Sequence, residues 1–109
     1  MLEFVIARRD GNRFFDLPYD QWAAVLRPST LPSHPLIESG PGNHIIEVTG
    51  YRINFIDEMP GLQVIIESKD MPYELARQVL DEICQNIVHA TGSTYELLEM
   101  PSDRPYRFA

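Results

Sequence analysis

The chain has 109 residues and a formal net charge of −7, with 44% hydrophobic and 23% charged side chains. This length suits one domain with one core, and the composition excludes a fibrous repeat or a low-complexity tail. Its nine basic residues, eight arginines and Lys69, form no basic stripe, which argues against phosphate-driven nucleic-acid binding; the acidic balance also works against anionic membranes.

Leu2 to Arg8 alternates, with Leu2, Phe4 and Ile6 on one face and Glu3, Val5 and Ala7 on the other. That predicts a strand, closed by the turn residues Asp10-Gly11-Asn12, with Arg13-Phe14-Phe15 returning as a short second strand. Asp16 stands where an N-cap belongs, Pro18 suits a first helical turn, and Trp22, Val25 and Leu26 recur at helical spacing. A helix of two to three turns up to Arg27 is expected.

From residue 28 to residue 43 the chain carries Pro28, Pro32, Pro35, Gly40, Pro41 and Gly42, a density that forbids helix and permits at most an edge strand. A loop this long is a candidate contact surface as well as a connector. Strand-like runs follow at His44 to Thr49, Tyr51 to Asp57 and Leu62 to Ser68, separated by Gly50 and by Glu58-Met59-Pro60-Gly61. Such short turns imply an antiparallel meander.

Asp70 is placed to cap the next helix, with Pro72 in its first turn, and the pattern then runs without Gly or Pro from Tyr73 to Thr91 before Gly92 ends it. Leu75, Val79, Ile83 and Ile87, flanked by Ala76, Leu80, Cys84 and Val88, predict a core-facing stripe. Arg77, Gln78, Asp81, Glu82, Gln85 and Asn86 fall on the opposite side. Ser93 to Met100 reads as a last strand, and residues 102–109 as a tail or a further edge strand. The expected fold is a single α+β domain over residues 1–109, a two-layer β-α-β-β-β-α-β arrangement whose short N-terminal and long C-terminal helices pack on one face of a mostly antiparallel sheet. A more curved, half-open barrel is the alternative architecture.

Candidate chemistry is sparse. His34, His44 and His89 show no spacing of the His-x-x-x-His kind that aims two ligands at one metal ion, so neither metal nor cofactor is expected. Cys84 lies on the core stripe, where a thiol behaves as a small hydrophobe, and one cysteine makes no internal disulfide framework. Asp57-Glu58 and Asp81-Glu82 occupy a turn and a solvated helix side, positions that do not tune a carboxylate for acid–base work. Gly-x-Ser-x-Gly, Gly-x-Gly-x-x-Gly and a phosphate-binding loop are missing, and a non-enzymatic protein is expected.

What remains is an interaction surface. Glu74, Asp81 and Glu82 on the outer side of the long helix, with Asp57, Glu58, Glu67 and Asp70 near strand ends and turns and His34 in the Pro-rich loop, form the expected partner-binding set. In size, charge and layout, and in the segment Phe15-Asp16-Leu17-Pro18-Tyr19-Asp20-Gln21-Trp22, the chain resembles the small acidic immunity proteins encoded beside bacterial toxins. That resemblance implies a protein, monomeric or homodimeric, that binds a basic toxin domain and occludes it; no functional residue carries over. The single Cys84, with a start that shows no signal-peptide pattern, points to a reducing, cytoplasmic setting. The other readings are an adaptor subunit acting through self-association or partner binding, and an enzyme whose site is assembled by the long loop. Nucleic acid and membrane are not expected partners, because no basic stripe and no run of about 18 apolar residues occurs.

Overall fold

The computed structural model describes residues 2–9, 17, 19–36, 43–58 and 61–100, residues 19 and 58 in their backbone alone. Six strands form one sheet: β1 (Leu2–Arg8), β2 (Ser33–Pro35), β3 (Asn43–Val48), β4 (Tyr51–Glu58), β5 (Gly61–Ile66) and β6 (Tyr95–Met100). A 3-10 turn at Tyr19–Gln21 leads into α1 (Trp22–Val25), and α2 spans Tyr73–Thr91. The sheet order is β2-β3-β4-β5-β1-β6, with every neighbouring pair antiparallel. The domain is therefore α+β, a meander of four strands extended by β1, with β6 returning from α2 to the far side of β1.

Alternation decides which side of the sheet is core. Phe4, Ile6, Val48, Ile53, Phe55, Leu62, Val64 and Ile66 lie on one face and are at most 1% exposed, and Ala76, Val79, Leu80, Ile83 and Ile87 of α2 close over them. Each such large side chain contributes about 1.5–3 kcal/mol of burial, so the stripe on α2 and the inward rows of β4 and β5 anchor the layers. At Gly61 the β5 backbone passes so close to β1 that a side-chain carbon would run into the Ile6 carbonyl oxygen and sit 3.3 Å from Ala7 Cα. Only glycine lets the two strands approach there.

The α2 bounds are those expected, with Gly92 in the left-handed region at φ 74° and its N–H donating to the Val88 carbonyl. The cap at the other end differs from the expectation: Pro72, extended at ψ 137°, holds the N-cap position, no side chain caps the helix, and Asp70 lies in the preceding turn. Proline fixes its own φ at the entry to the helix but offers no side-chain acceptor, so the first N–H groups of α2 have no side-chain cap. The first helix is also shorter than its spacing suggests. A single α-turn follows the 3-10 turn, and Pro28 disfavours helical geometry at Arg27. Within the Pro-rich segment a three-residue strand, β2, pairs with β3 at the sheet margin, where Pro35 leaves no interior ladder bond unmade. Asp16, Pro18, the returning strand at 13–15 and the tail at 102–109 lie outside the described residues.

Two local features hold the strands and helices in place. Thr49 and Gly50 form the two-residue turn between β3 and β4, both at positive φ (48° and 90°), the backbone that a tight hairpin needs. Gly50 adopts it freely, whereas Thr49 is β-branched and pays for it in strain. On α2, Gln78, Glu82 and Asn86 recur every four residues and grip the chain after α1. Gln78 Nε2 donates to Thr30 Oγ1 at 3.3 Å, Glu82 accepts from Ser29 Oγ (2.9 Å), Thr30 N (3.0 Å) and Thr30 Oγ1 (2.7 Å), and Asn86 Nδ2 donates to the carbonyls of Val25 (3.1 Å) and Arg27 (3.0 Å).

Thr49→Asn is expected to raise stability by about 1 kcal/mol, because Asn tolerates the left-handed region and keeps the amide that donates to the Pro32 carbonyl. Urea unfolding checks it; an unchanged or lower midpoint shows that the turn is not strained. Asn86→Ala is expected to cost about 1–3 kcal/mol by leaving two carbonyls without their donor, while Gln85→Ala on the exposed side stays within about 0.5 kcal/mol. Equal midpoints for the two variants would contradict the role given to Asn86.

Candidate functional site

A hollow of about 440 Å³ opens between α1 and the β2–β3 margin of the sheet. Its position follows from the short first helix. Asn86 Nδ2 donates to the carbonyls of Val25, the last residue of α1, and of Arg27 just beyond it, so α1 is pinned against α2 and reaches over β3 with Trp22. Trp22 is 5% exposed and its ring stacks on the imidazole of His44, with centroids 4.3 Å apart and planes 11° apart. His44 shares its face of β3 with Ile46 and Val48, which is why it points to the helical side. The remaining walls are Ala23, Ala24, Leu26, Arg27, the strand Ser33–Pro35, Ile45 and Ile46.

His44 pairs with Phe55 across β3–β4, so Asp57, two residues on, projects from the same face. Burial lowers the His44 pKa below its ordinary 6.5, and the Asp57 charge acts against that shift. Burial likewise raises the Asp57 pKa above 3.8, with His44 pulling it back. The pair thus combines a ring held toward its neutral form with a carboxyl held toward its protonated form.

The residues expected from sequence fall in different places. His34 pairs with Glu47 across β2–β3, its Nε2 3.7 Å from Glu47 Oε1, and register puts this pair on the face opposite His44. His34 and His44 do not converge. Asp57 and Glu58 end β4 opposite Leu62 and Gly61, whereas Glu67 and Asp70 follow the far end of β5, beyond Ile66 opposite Ile53. About 15 Å of strand separates the two groups. Glu67, Asp70 and Glu74 gather around the start of α2, and Asp81 lies two turns further along its exposed side. Glu82 stands apart from this set, since its carboxylate is occupied by Ser29 and Thr30, whose hydrogen bonds, the Thr30 hydroxyl's foremost, lower its pKa. Cys84 is 6% exposed, and burial, with the Asp81 charge adding to it, raises its thiol pKa. Such a thiol is a poor nucleophile.

Sequence reasoning did not single out Trp22 and His44 as partners. The available signal is parity: within the run from His44 to Thr49, His44 falls in step with Ile46 and Val48 and so must face the core side. Among the described residues no group of three or more His, Cys, Asp or Glu side chains is arranged to hold a metal ion, and no helix is long and apolar enough to cross a membrane. Comparison with protein-family models, with curated proteins and with solved structures gives no match.

The His44 shift fixes a pH dependence. A histidine whose folded pKa lies below its unfolded value binds its proton more readily in the unfolded chain, so stability falls as pH drops below about 6.5 toward the folded pKa. The thermal midpoint is expected to decline between pH 7.5 and pH 5.5, and His44→Gln to flatten that decline, provided the measurement stays above the acid range of the carboxylates. A variant with the same slope as the wild-type chain would remove His44 as its source.

Proposed function

We propose that the chain is a protein-binding inhibitor of the immunity-protein kind, which recognises a basic toxin domain and occludes it without catalysis. The observation that carries this reading is the distribution of exposed carboxylates: Glu67, Asp70, Glu74 and Asp81 mark the start and outer side of α2, against Lys69 and Arg77, on a chain of net charge −7. An acidic rim on a rigid helix steers a basic partner during encounter. Because α2 is held by its apolar stripe and by the Gln78, Glu82 and Asn86 bonds, this rim is presented without an ordering cost at binding. Glu82 contributes to that rigidity and not to the contact set. The cytoplasm is the compartment this reading assigns.

The test is association with the toxin domains encoded beside the gene, followed by stopped-flow and by protection of cells that express them. Joint Asp70→Lys, Glu74→Lys and Asp81→Lys replacement is expected to slow association by about tenfold or more at low ionic strength and to flatten its salt dependence. Retained association rates would remove α2 as the steering surface. Absence of binding and of protection with every such toxin would overturn the inhibitor reading itself.

A further inference from the structure

We propose that the hollow under α1 is a binding site for a small aromatic carboxylate, its ring seated among the apolar walls and its carboxylate held by Arg27. This inference is independent of the inhibitor reading.

Size comes first. A hollow of about 440 Å³ lies within the range of small-molecule sites, and it is concave between a helix and a sheet margin. The chemistry of its walls then narrows the occupant. Trp22, Leu26, Pro35 and Ile46 give an apolar lining, and the stacked Trp22–His44 pair, its tryptophan 5% exposed, adds ring edges that suit a planar aromatic body. The polar residues among its walls are few: Arg27, Ser33, His34 and His44.

Charge selects an anion. The chain carries 16 acidic side chains against nine basic ones, yet among the described residues the lining of the hollow contains an arginine and two histidines and no carboxylate. Of these, the His34 side chain is turned to Glu47 on the other face of the sheet, and His44, held toward its neutral form beside Asp57, offers a neutral ring, which leaves Arg27 as the charge for the ligand. A guanidinium binds a carboxylate through two parallel N–H donors, a geometry that a neutral amide does not reproduce. The Arg27 backbone is held at the mouth of the hollow, because Asn86 donates to its carbonyl at 3.0 Å and Leu26 N–H donates to the Trp22 carbonyl at 3.0 Å, so the side chain starts from a fixed point.

The experiment is a titration of the full chain with indole-3-carboxylate, followed by nuclear magnetic resonance at the indole N–H of Trp22, the one tryptophan of the chain, and at His44. Saturable shifts centred on Trp22, Ser33 and His44, with Kd below about 1 mM, are expected. Indole-3-carboxamide is expected to bind at least about tenfold more weakly, and Arg27→Gln to lose a similar factor toward the carboxylate while leaving the remaining spectrum in place. Arg27→Lys keeps the charge without the fork and is expected to fall between the two. Linear shifts without saturation up to about 10 mM, equal binding of carboxylate and carboxamide, or Arg27→Gln binding as the wild-type chain does, would each overturn the proposal.

Discussion

Asn86 settles a problem that a single-turn helix cannot settle for itself. In α1 the Trp22 and Ala24 carbonyls accept from Leu26 and Arg27 N–H, but the last carbonyls of so short a helix have no such partner, and turning them toward a second helix costs free energy unless a donor meets them. The Asn86 amide meets two, at Val25 and Arg27, and one and two turns earlier on the same side of α2 Glu82 and Gln78 hold Ser29 and Thr30. The long helix is thus used on two sides, an apolar stripe toward the sheet and a polar row toward the chain that leaves α1. Trp22 stands over His44 because of the second as much as the first: the apolar stripe fixes where α2 lies, and the polar row fixes how α1 is set against it.

That arrangement also separates the charges of an acidic chain. Carboxylates gather at the start and along the outer side of α2, while the hollow between α1 and the β2–β3 margin is lined by Arg27 and His44. On the two proposals above, a basic partner would meet the first surface through long-range forces and a small carboxylate the second at close range, where burial strengthens contacts with fixed donors.

The legible part of this structure is the part that depends on local period. The bounds of α2, its core stripe, the alternation in β4 and β5, the turn at Gly50 and the edge position of the Pro-rich segment follow from spacing and turn chemistry alone. Partner choice does not. Gln78, Glu82 and Asn86 have the same four-residue spacing as solvated side chains, and nothing local distinguishes a polar row that faces water from one that faces carbonyls. The acidic set failed to coalesce for a similar reason: Asp57 and Asp70 look close along the chain, but the β4–β5 register puts them at opposite ends of a hairpin. Asp70 also reads as a cap until Pro72 is seen to take that position. His44 carried a usable signal in its parity with Ile46 and Val48, and the missing half, Trp22, sits on an element too short for its direction to be read from period.

The two supports of α1 differ in how they respond to acid. Neutral His44 suits its half-buried place under Trp22, so protonation in the range below pH 6.5 works against the stack. Glu82 is favoured as the ionised carboxylate by its bonds from Thr30 and Ser29; its folded pKa lies below the ordinary 4.5, and its contribution persists above that value and is lost only as pH falls through the lower one. Asp57 acts in the opposite sense, since a carboxyl with a raised pKa is relieved by protonation as pH approaches 3.8. The floor of the hollow is therefore disturbed at milder acidity than the bond that ties its roof to α2.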